Sequence, residues 1–416
     1  MARTRTLRMV SGAAAVVGAL ALSACGSGFN SPAPSGGAEA TGSGPVSVLI
    51  GSSGDAETTA VKSAVADWSK ASGTEASVSV ASDMVQQLSQ GFASGKPADV
   101  FYVSTDQFAG FAANGSLEPY GDSLANKADF YPGLAKAFSY DGKLFCAPKD
   151  FSTLSLVINT DKWTAAGLGD GDIPTTWDEL AKTSKKLTSG PTTGLSFSPE
   201  IARIGAFFPQ AGGSFVSEDG KTATINSPEN IKALGFVKSM LADGAAKYSS
   251  ELGAGWGGEA FGKGLSAMTI EGNWIGGALS KDYPDVKYRT VELPAGPKGK
   301  GTLQFTNCWG IAADSKNKPA AKKLVEKLTS TQNQIGFAKA FGVMPSVESA
   351  AAEFKSTFPA QAASLAGAEY AQSLPSQPGA SDVIKDLNAK LATLKTSEPK
   401  TILDSVQAEM TAVLAK

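Results

Sequence analysis

Four carboxylates, Asp106, Asp150, Glu200 and Glu271, stand in segments where chemistry could be done. Two such groups about 5 to 10 Å apart across a sugar linkage would be the acid and base of a glycoside hydrolase, but sequence alone sets no distance between them. Other chemistries are excluded by what the chain lacks. It contains no histidine, which rules out Ser-His-Asp and Cys-His catalysis and every zinc site built on imidazole. It has neither a G-x-S-x-G elbow nor a Walker A loop. Gly253-Ala254-Gly255-Trp256-Gly257-Gly258 fits G-x-G-x-x-G. It follows no convincing strand, however, and Trp256 would crowd the backbone where a pyrophosphate must approach. The chain is therefore read as a non-enzyme, with no catalytic residue, metal or cofactor.

Three cysteines remain to be placed. Arg3, Arg5 and Arg8 precede an apolar run of about 13 residues at 10–22, too short to span a bilayer, which takes about 20. This is the pattern of a cleaved export signal over 1–24. Leu22-Ser23-Ala24-Cys25 is similar to the lipobox of bacterial lipoproteins, which implies acylation of Cys25, with palmitate-type chains anchoring the protein to the outer face of the cytoplasmic membrane at the cell surface. Residues 25–45 are rich in Gly, Ser, Ala and Pro and read as a flexible tether, with a root-mean-square span of roughly 25 Å. With Cys25 assigned to lipid, Cys146 and Cys308 are left, an even remainder that reads as a disulfide in an exported protein; two buried free thiols are the other reading. Losing the leader removes three of 37 basic residues and none of the 39 acids, so the mature chain has net charge −5. Nothing in that balance suggests nucleic acid or an anionic lipid surface as partner.

The elements that must position the candidate residues alternate strand and helix. Strands are expected at 46–50, 76–80 and 99–103, with helices at 57–72, 83–94 and 106–114 between and after them. Further on, Thr176-Trp177-Asp178-Glu179 is a capping box opening a helix to Leu187, and Ser227-Pro228 opens another. Strands follow at 266–271, 286–292 and 304–313, a short helix at 274–279, another helix at 318–329, and a mostly helical remainder broken at Pro375–Pro378. Such alternation implies α/β lobes with mostly parallel sheets, and a ligand at the carboxyl ends of the strands. About 370 residues after the tether exceed what one core usually takes, so two lobes are expected.

Five blocks in order carry a resemblance. They are Gly91–Phe101 (GFASGKPADVF), Tyr140–Pro148 (YDGKLFCAP), Leu154–Trp163 (LSLVINTDKW), Thr176–Leu180 (TWDEL), and Phe261–Gly264 leading to Ala267–Trp274 (AMTIEGNW). Together they resemble the maltose-type, family 1 extracellular carbohydrate-binding receptors of ABC importers over nearly all of 46–416. The resemblance implies a periplasmic-binding-protein-like fold of type II. Its two lobes are expected at 46–151 with about 308–350, and at 152–307 with about 351–416, joined by crossing strands near 152–158 and 303–307. It also implies a mono- or oligosaccharide in the cleft, closure about the hinge, and two permease subunits with a cytoplasmic ATPase as partners. A Cys146–Cys308 bridge would lie near the hinge. Receptors for a non-sugar solute, and an enzyme, are the competing readings.

A pyranose offers two apolar C–H faces and a rim of hydroxyls, so its site needs aromatic planes and fixed polar groups. Trp274 matches the family's stacking tryptophan, flanked by Glu271 and Asn273. Trp256 sits on a glycine loop that offers little to bury it. Asp106 and Gln107 follow the third strand where the maltose receptor holds a charged pair on its sugar, although Asp106 also suits a helix N-cap. Ser53 ends the first strand. Asp150 stands near Ser152, which replaces a glutamate of the maltose receptor, and Glu200 aligns with another of its acids. Asn307 and Trp309 lie just past the second crossing strand, as cleft lining or as hinge core. Gln107 in place of a basic residue, and Val103 and Ala202 in place of aromatics, put maltose itself in doubt as the ligand.

Overall fold

The computed structural model of the protein describes residues 44–415. The expected leader at 1–24, the expected acylation site Cys25 and the expected tether as far as residue 43 lie outside the described residues. In β1 (Val46–Ile50) Val46, Val48 and Ile50 point into a core while Ser47 and Leu49 are half-buried, the period-2 pattern of a strand. It pairs in parallel with β2 (Ala76–Val80) and β3 (Val100–Ser104). The intervening α1 (Asp55–Ser72) and α2 (Met84–Ala93), and α3 (Thr105–Ala113) after β3, complete this half. The apolar stripe Val61, Ala64, Val65 and Trp68 seats α1, and Gly73, at φ 70°, ends it in the left-handed conformation that costs glycine least. Helices here begin or end one or two residues from their expected limits; Asp83 caps α2, accepting from the Gln86 amide at 2.9 Å.

Two long strands connect this half to the other. β4 (Ala147–Asn159) is buried along all 13 residues. Its Ala147 and Phe151 join the first core, and Leu154, Leu156 and Ile158 the second. The second lobe adds α4 (Trp177–Leu187), β5 (Thr193–Phe197), α5 (Pro228–Ala242), β6 (Ala246–Tyr248), β7 (Ser266–Gly272), α6 (Trp274–Asp282) and β8 (Tyr288–Val291). The expected capping box is present: Thr176 Oγ1 accepts from the Glu179 amide, and Glu179 from the Thr176 amide. β9 (Thr302–Ile311) then returns to the first core, giving it Cys308, Trp309 and Ile311, and α7 (Lys318–Leu328) and α8 (Thr331–Phe341) pack there. With β10 (Ala371–Gln372) the strands form one ten-stranded sheet, in the order β2-β1-β3-β9-β4-β7-β5-β6, with β8 beside β4 and β10 beside β9. Pairings within each lobe among β1–β3 and β5–β7 are parallel; β9 and β4 are antiparallel to each other and to the strands they adjoin, β3 and β7.

Register decides where the ends of these strands meet. Ser104, the last residue of β3, faces Asn307, which faces Asp150 of β4. Gly272, the last residue of β7, faces Leu154 of β4. Since β3 runs with β4 and β7 runs against it, the two carboxyl ends point toward each other across residues 150–154. A bulge between Asn307 and Cys308, opposite Pro148, shifts the ladder there; proline donates no N–H, and a bulge is where a ladder tolerates that loss.

A disulfide joins Cys146 to Cys308, both fully buried, with Cα atoms 5.7 Å apart. It ties the start of β4 to β9 on the first-lobe side of the hinge, where the resemblance located it. Closing a loop of 162 residues stabilises by about 5 kcal/mol in the chain-entropy treatment. Non-reducing peptide mapping should recover a Cys146–Cys308 cross-linked pair, and the Cys146→Ser/Cys308→Ser protein should melt several degrees lower. Free thiols with an unchanged melting temperature would contradict this.

Candidate functional site

On the first-lobe side, Glu57 occupies the position one turn before Val61 on the apolar stripe of α1, so the helix buries a carboxylate with its core face. Lys149 reaches it from β4, with Nζ 2.9 Å from Oε1, and also pairs with its neighbour Asp150. The Tyr102 hydroxyl donates to Glu57 Oε1 at 3.0 Å, and the Ser53 amide and hydroxyl donate to Oε2 at 2.8 and 2.7 Å. The ammonium lies 4.6 Å from the Tyr102 ring centroid and 5.4 Å from that of Phe341. Burial alone would raise the Glu57 carboxyl; the Lys149 charge and the Ser53 donors outweigh it and leave it below its ordinary value. Burial raises Asp150, with Lys149 opposing only in part. Lys149 is held above the ordinary lysine range because Asp150, Tyr102 and Glu57 outweigh its own desolvation. This cluster satisfies itself.

The second-lobe side is built on Glu271 near the end of β7, fully buried. Its Oε2 accepts from Arg203 Nε at 3.0 Å, Arg203 Nη2 at 2.8 Å and Trp274 Nε1 at 3.0 Å. Burial raises this carboxyl, and Arg203 and Trp274 offset part of the rise. The Arg203 guanidinium also sits 5.1 Å from the Trp274 ring centroid, and Phe305 of β9 meets that ring edge-on at 5.4 Å. Trp274 folds back over Gly272, where an added Cβ would come within 2.2 Å of the indole. Trp256 repeats the arrangement: a Cβ on Gly258 would meet its ring at 2.1 Å. Each tryptophan therefore rests on a glycine two residues away. Trp274 keeps 36% of its surface exposed, although its N–H is bonded and Arg203, Phe305 and Gly272 lie against its ring. The result is a fixed aromatic plane open to solvent, suited to an apolar ligand face.

The other expected residues divide. Asp106 is exposed in the first turn of α3, and Ser104, not Asp106, takes the N-cap position. Gln107 Oε1 accepts from Ser104 Oγ at 3.1 Å. Asn307 is half-buried on β9 between Ser104 and Asp150. Glu200 is exposed before Ile201 and comes within 4.0 Å of Arg203. Three expectations change. Asp150 is a buried partner of Lys149 and not a free acceptor. Asn273 is committed to the hinge: its amide donates to Ser152 Oγ at 3.2 Å and its Nδ2 to the Gly342 carbonyl at 2.7 Å. Trp309 is 0% exposed and packs against Tyr102 at 4.7 Å, so it belongs to the first core and does not line the cleft. Sequence reading missed Glu57, Lys149, Arg203 and Phe305 as parts of the site. Glu57 had a signal, an acid on the apolar face of a helix; the two cations had none.

Both oxygens of Glu57 accept hydrogen bonds, while Oε2 of Glu271 takes three donors and its Oε1 none among the described residues. Partly exposed aromatic rings beside polar groups that are already bonded are suited to holding a ligand. Removing one partner of a buried ion pair costs about 3–5 kcal/mol, so Lys149→Met should lose stability of that order in urea unfolding; an unchanged midpoint would contradict the buried cluster. Because the Glu57 carboxyl is lowered in the folded protein, its contribution is complete above its unfolded value of 4.5 and disappears as pH falls through the lower folded value. The stability advantage of wild type over Glu57→Gln should accordingly be full at pH 6–7 and shrink below pH 4.5; an advantage that grows on acidification would contradict the assignment.

Residues 51–335 match the family model described as bacterial extracellular solute-binding protein. A putative binding protein of Brucella abortus is 24% identical over 351 residues, covering 80% of this chain and 84% of the relative. The diacetylchitobiose binding protein of Streptomyces coelicolor is 27% identical over 291 residues, 68% of each chain. Among solved structures, the cyclic alpha-maltosyl-1,6-maltose binding protein of Arthrobacter globiformis superposes with a TM-score of 0.79 at 21% identity, over 89% of this chain and 98% of that one. Similarity at that identity speaks for the two-lobed fold. With well over half its length matched by the family model, the chain belongs to the bacterial extracellular solute-binding protein family.

Proposed function

We propose that the protein captures an oligosaccharide between its lobes and delivers it to an ABC importer. The observation that carries this reading is the pair of tryptophans laid on glycines, with Trp274 fixed by Glu271 and Arg203, at strand ends that face each other across β4. Relatives named for diacetylchitobiose and for a cyclic maltosyl-maltose support a saccharide as the ligand class. The lobes divide between the two cores, the first at 46–151 with a return from about 308 and the second at 152–307 with the C-terminal helices. Residues Trp274, Trp256, Asp106, Gln107, Glu200, Asn307 and Ser53 are the proposed ligand-facing set, with the fully buried Glu271 holding Trp274 in place and Asn273, Asp150 and Trp309 behind them. Ligand bridging both lobes favours the closed state by its differential affinity for it, and the closed form is what two permease subunits and their ATPase receive. Acylation of Cys25 would keep the receptor beside that importer on the outer face of the membrane.

Calorimetric titration against a panel of neutral oligosaccharides, with hydrolysis followed in parallel, tests this. One or more should bind saturably and be recovered intact, and Trp274→Ala should weaken binding at least tenfold with little loss of fold. Saccharide cleavage by the pure protein would overturn the receptor reading, and unchanged affinity would remove Trp274 from the site.

A further inference from the structure

On the reading that the cleft takes a saccharide, the charges at the facing strand ends narrow its class. The segments that meet there carry two cations, Lys149 and Arg203, and both are neutralised. Lys149 is held between Glu57 and Asp150, and Arg203 is 2.8 Å from Glu271. The groups left over are acids. Asp106 is exposed and has neither ion pair nor side-chain hydrogen bond among the described residues. Glu200 reaches only to 4.0 Å of an arginine whose charge Glu271 already takes. Glu271, whose charge Arg203 already takes, adds no net charge, but its buried Oε1 has no hydrogen-bond partner among the described residues and is turned toward Gly257 beside Trp256.

Helix N-termini oppose this. Those of α1, α3 and α6 lie at the same strand ends, each equivalent to about half a positive charge. Asp55 in the first turn of α1 and Asp106 in that of α3 bring full negative charges to two of the three, Glu57 being already paired with Lys149. A unit charge outweighs half of one, so the field at the cleft mouth is negative. A phosphate or uronate would meet uncompensated carboxylates and, among the described residues at these strand ends, no free guanidinium or ammonium to pair with. A protonated amine would find Asp106 and Glu200, with the tryptophan faces open to it as well.

We propose that the cleft excludes anionic saccharides and holds an amine-bearing saccharide more tightly than its neutral N-acetylated counterpart, through Asp106 and Glu200. The test is calorimetric titration at pH 6 and low salt with three matched probes: an N-acetylated oligosaccharide, its free-amine form and its uronate form, on both chito- and malto-oligosaccharide backbones. The amine should bind at least threefold tighter than the neutral probe and the uronate at least tenfold weaker. In Asp106→Asn/Glu200→Gln the ratio of amine to neutral affinity should fall toward one, as it should in wild type at 0.5 M salt. A uronate that binds as well as the neutral probe, or an amine advantage that is absent or survives the double substitution, would overturn the charge selection alone. No binding by any probe on either backbone would overturn the saccharide reading itself, and this inference with it.

Discussion

The register of two antiparallel strands governs this molecule. β4 and β9 pass from one hydrophobic core into the other, and their pairing places Asp150, Asn307 and Ser104 on one level. Leu154 and Gly272 lie four residues further along β4. Slide either strand by one residue and every side chain would change face, so the parallel strands of the two lobes would no longer end opposite each other. The buried disulfide and the bulge opposite Pro148 lie at the first-lobe end of this crossing, where the pairing is most irregular.

The ion clusters follow from that crossing. A lysine near the start of a fully buried strand is tolerable only when desolvation is offset by charges of opposite sign, and α1 brings Glu57 to it while Asp150 is its own neighbour. Glu271, buried near the end of β7, poses the converse problem and is answered by Arg203 and the indole N–H of Trp274. The second solution has a by-product: the donors that satisfy the carboxylate also immobilise an exposed aromatic ring. A rigid plane loses little conformational freedom on binding, which suits it to the apolar face of the proposed saccharide.

Much of this was legible in the residues. The alternation of strands and helices, the capping box at Thr176, the pairing of Cys146 with Cys308 and the glycine-flanked tryptophans at 256 and 274 all rest on local pattern or simple arithmetic. The ion pairs were not legible, because their partners are distant in sequence: Glu57 lies 92 residues from Lys149 and Arg203 lies 68 from Glu271. Trp309 was read as possible cleft lining because it follows a crossing strand, but its pairing with Tyr102 across β3 and β9 turns it into the first core. Asn273, expected as a sugar contact beside Trp274, instead gives its side chain to the Gly342 carbonyl, a role set by the approach of a residue 69 positions away. What escapes the sequence is long-range register, and the site is made of it.

Hydrogen–deuterium exchange with and without a saccharide that binds by calorimetry tests the central claim most directly. If ligand sits between the facing strand ends, protection should appear together at 102–107 and 304–307 from one side and at 271–276 from the other. Protection confined to one lobe, or lying away from all three segments, would contradict a cleft built where β3 and β7 end against each other.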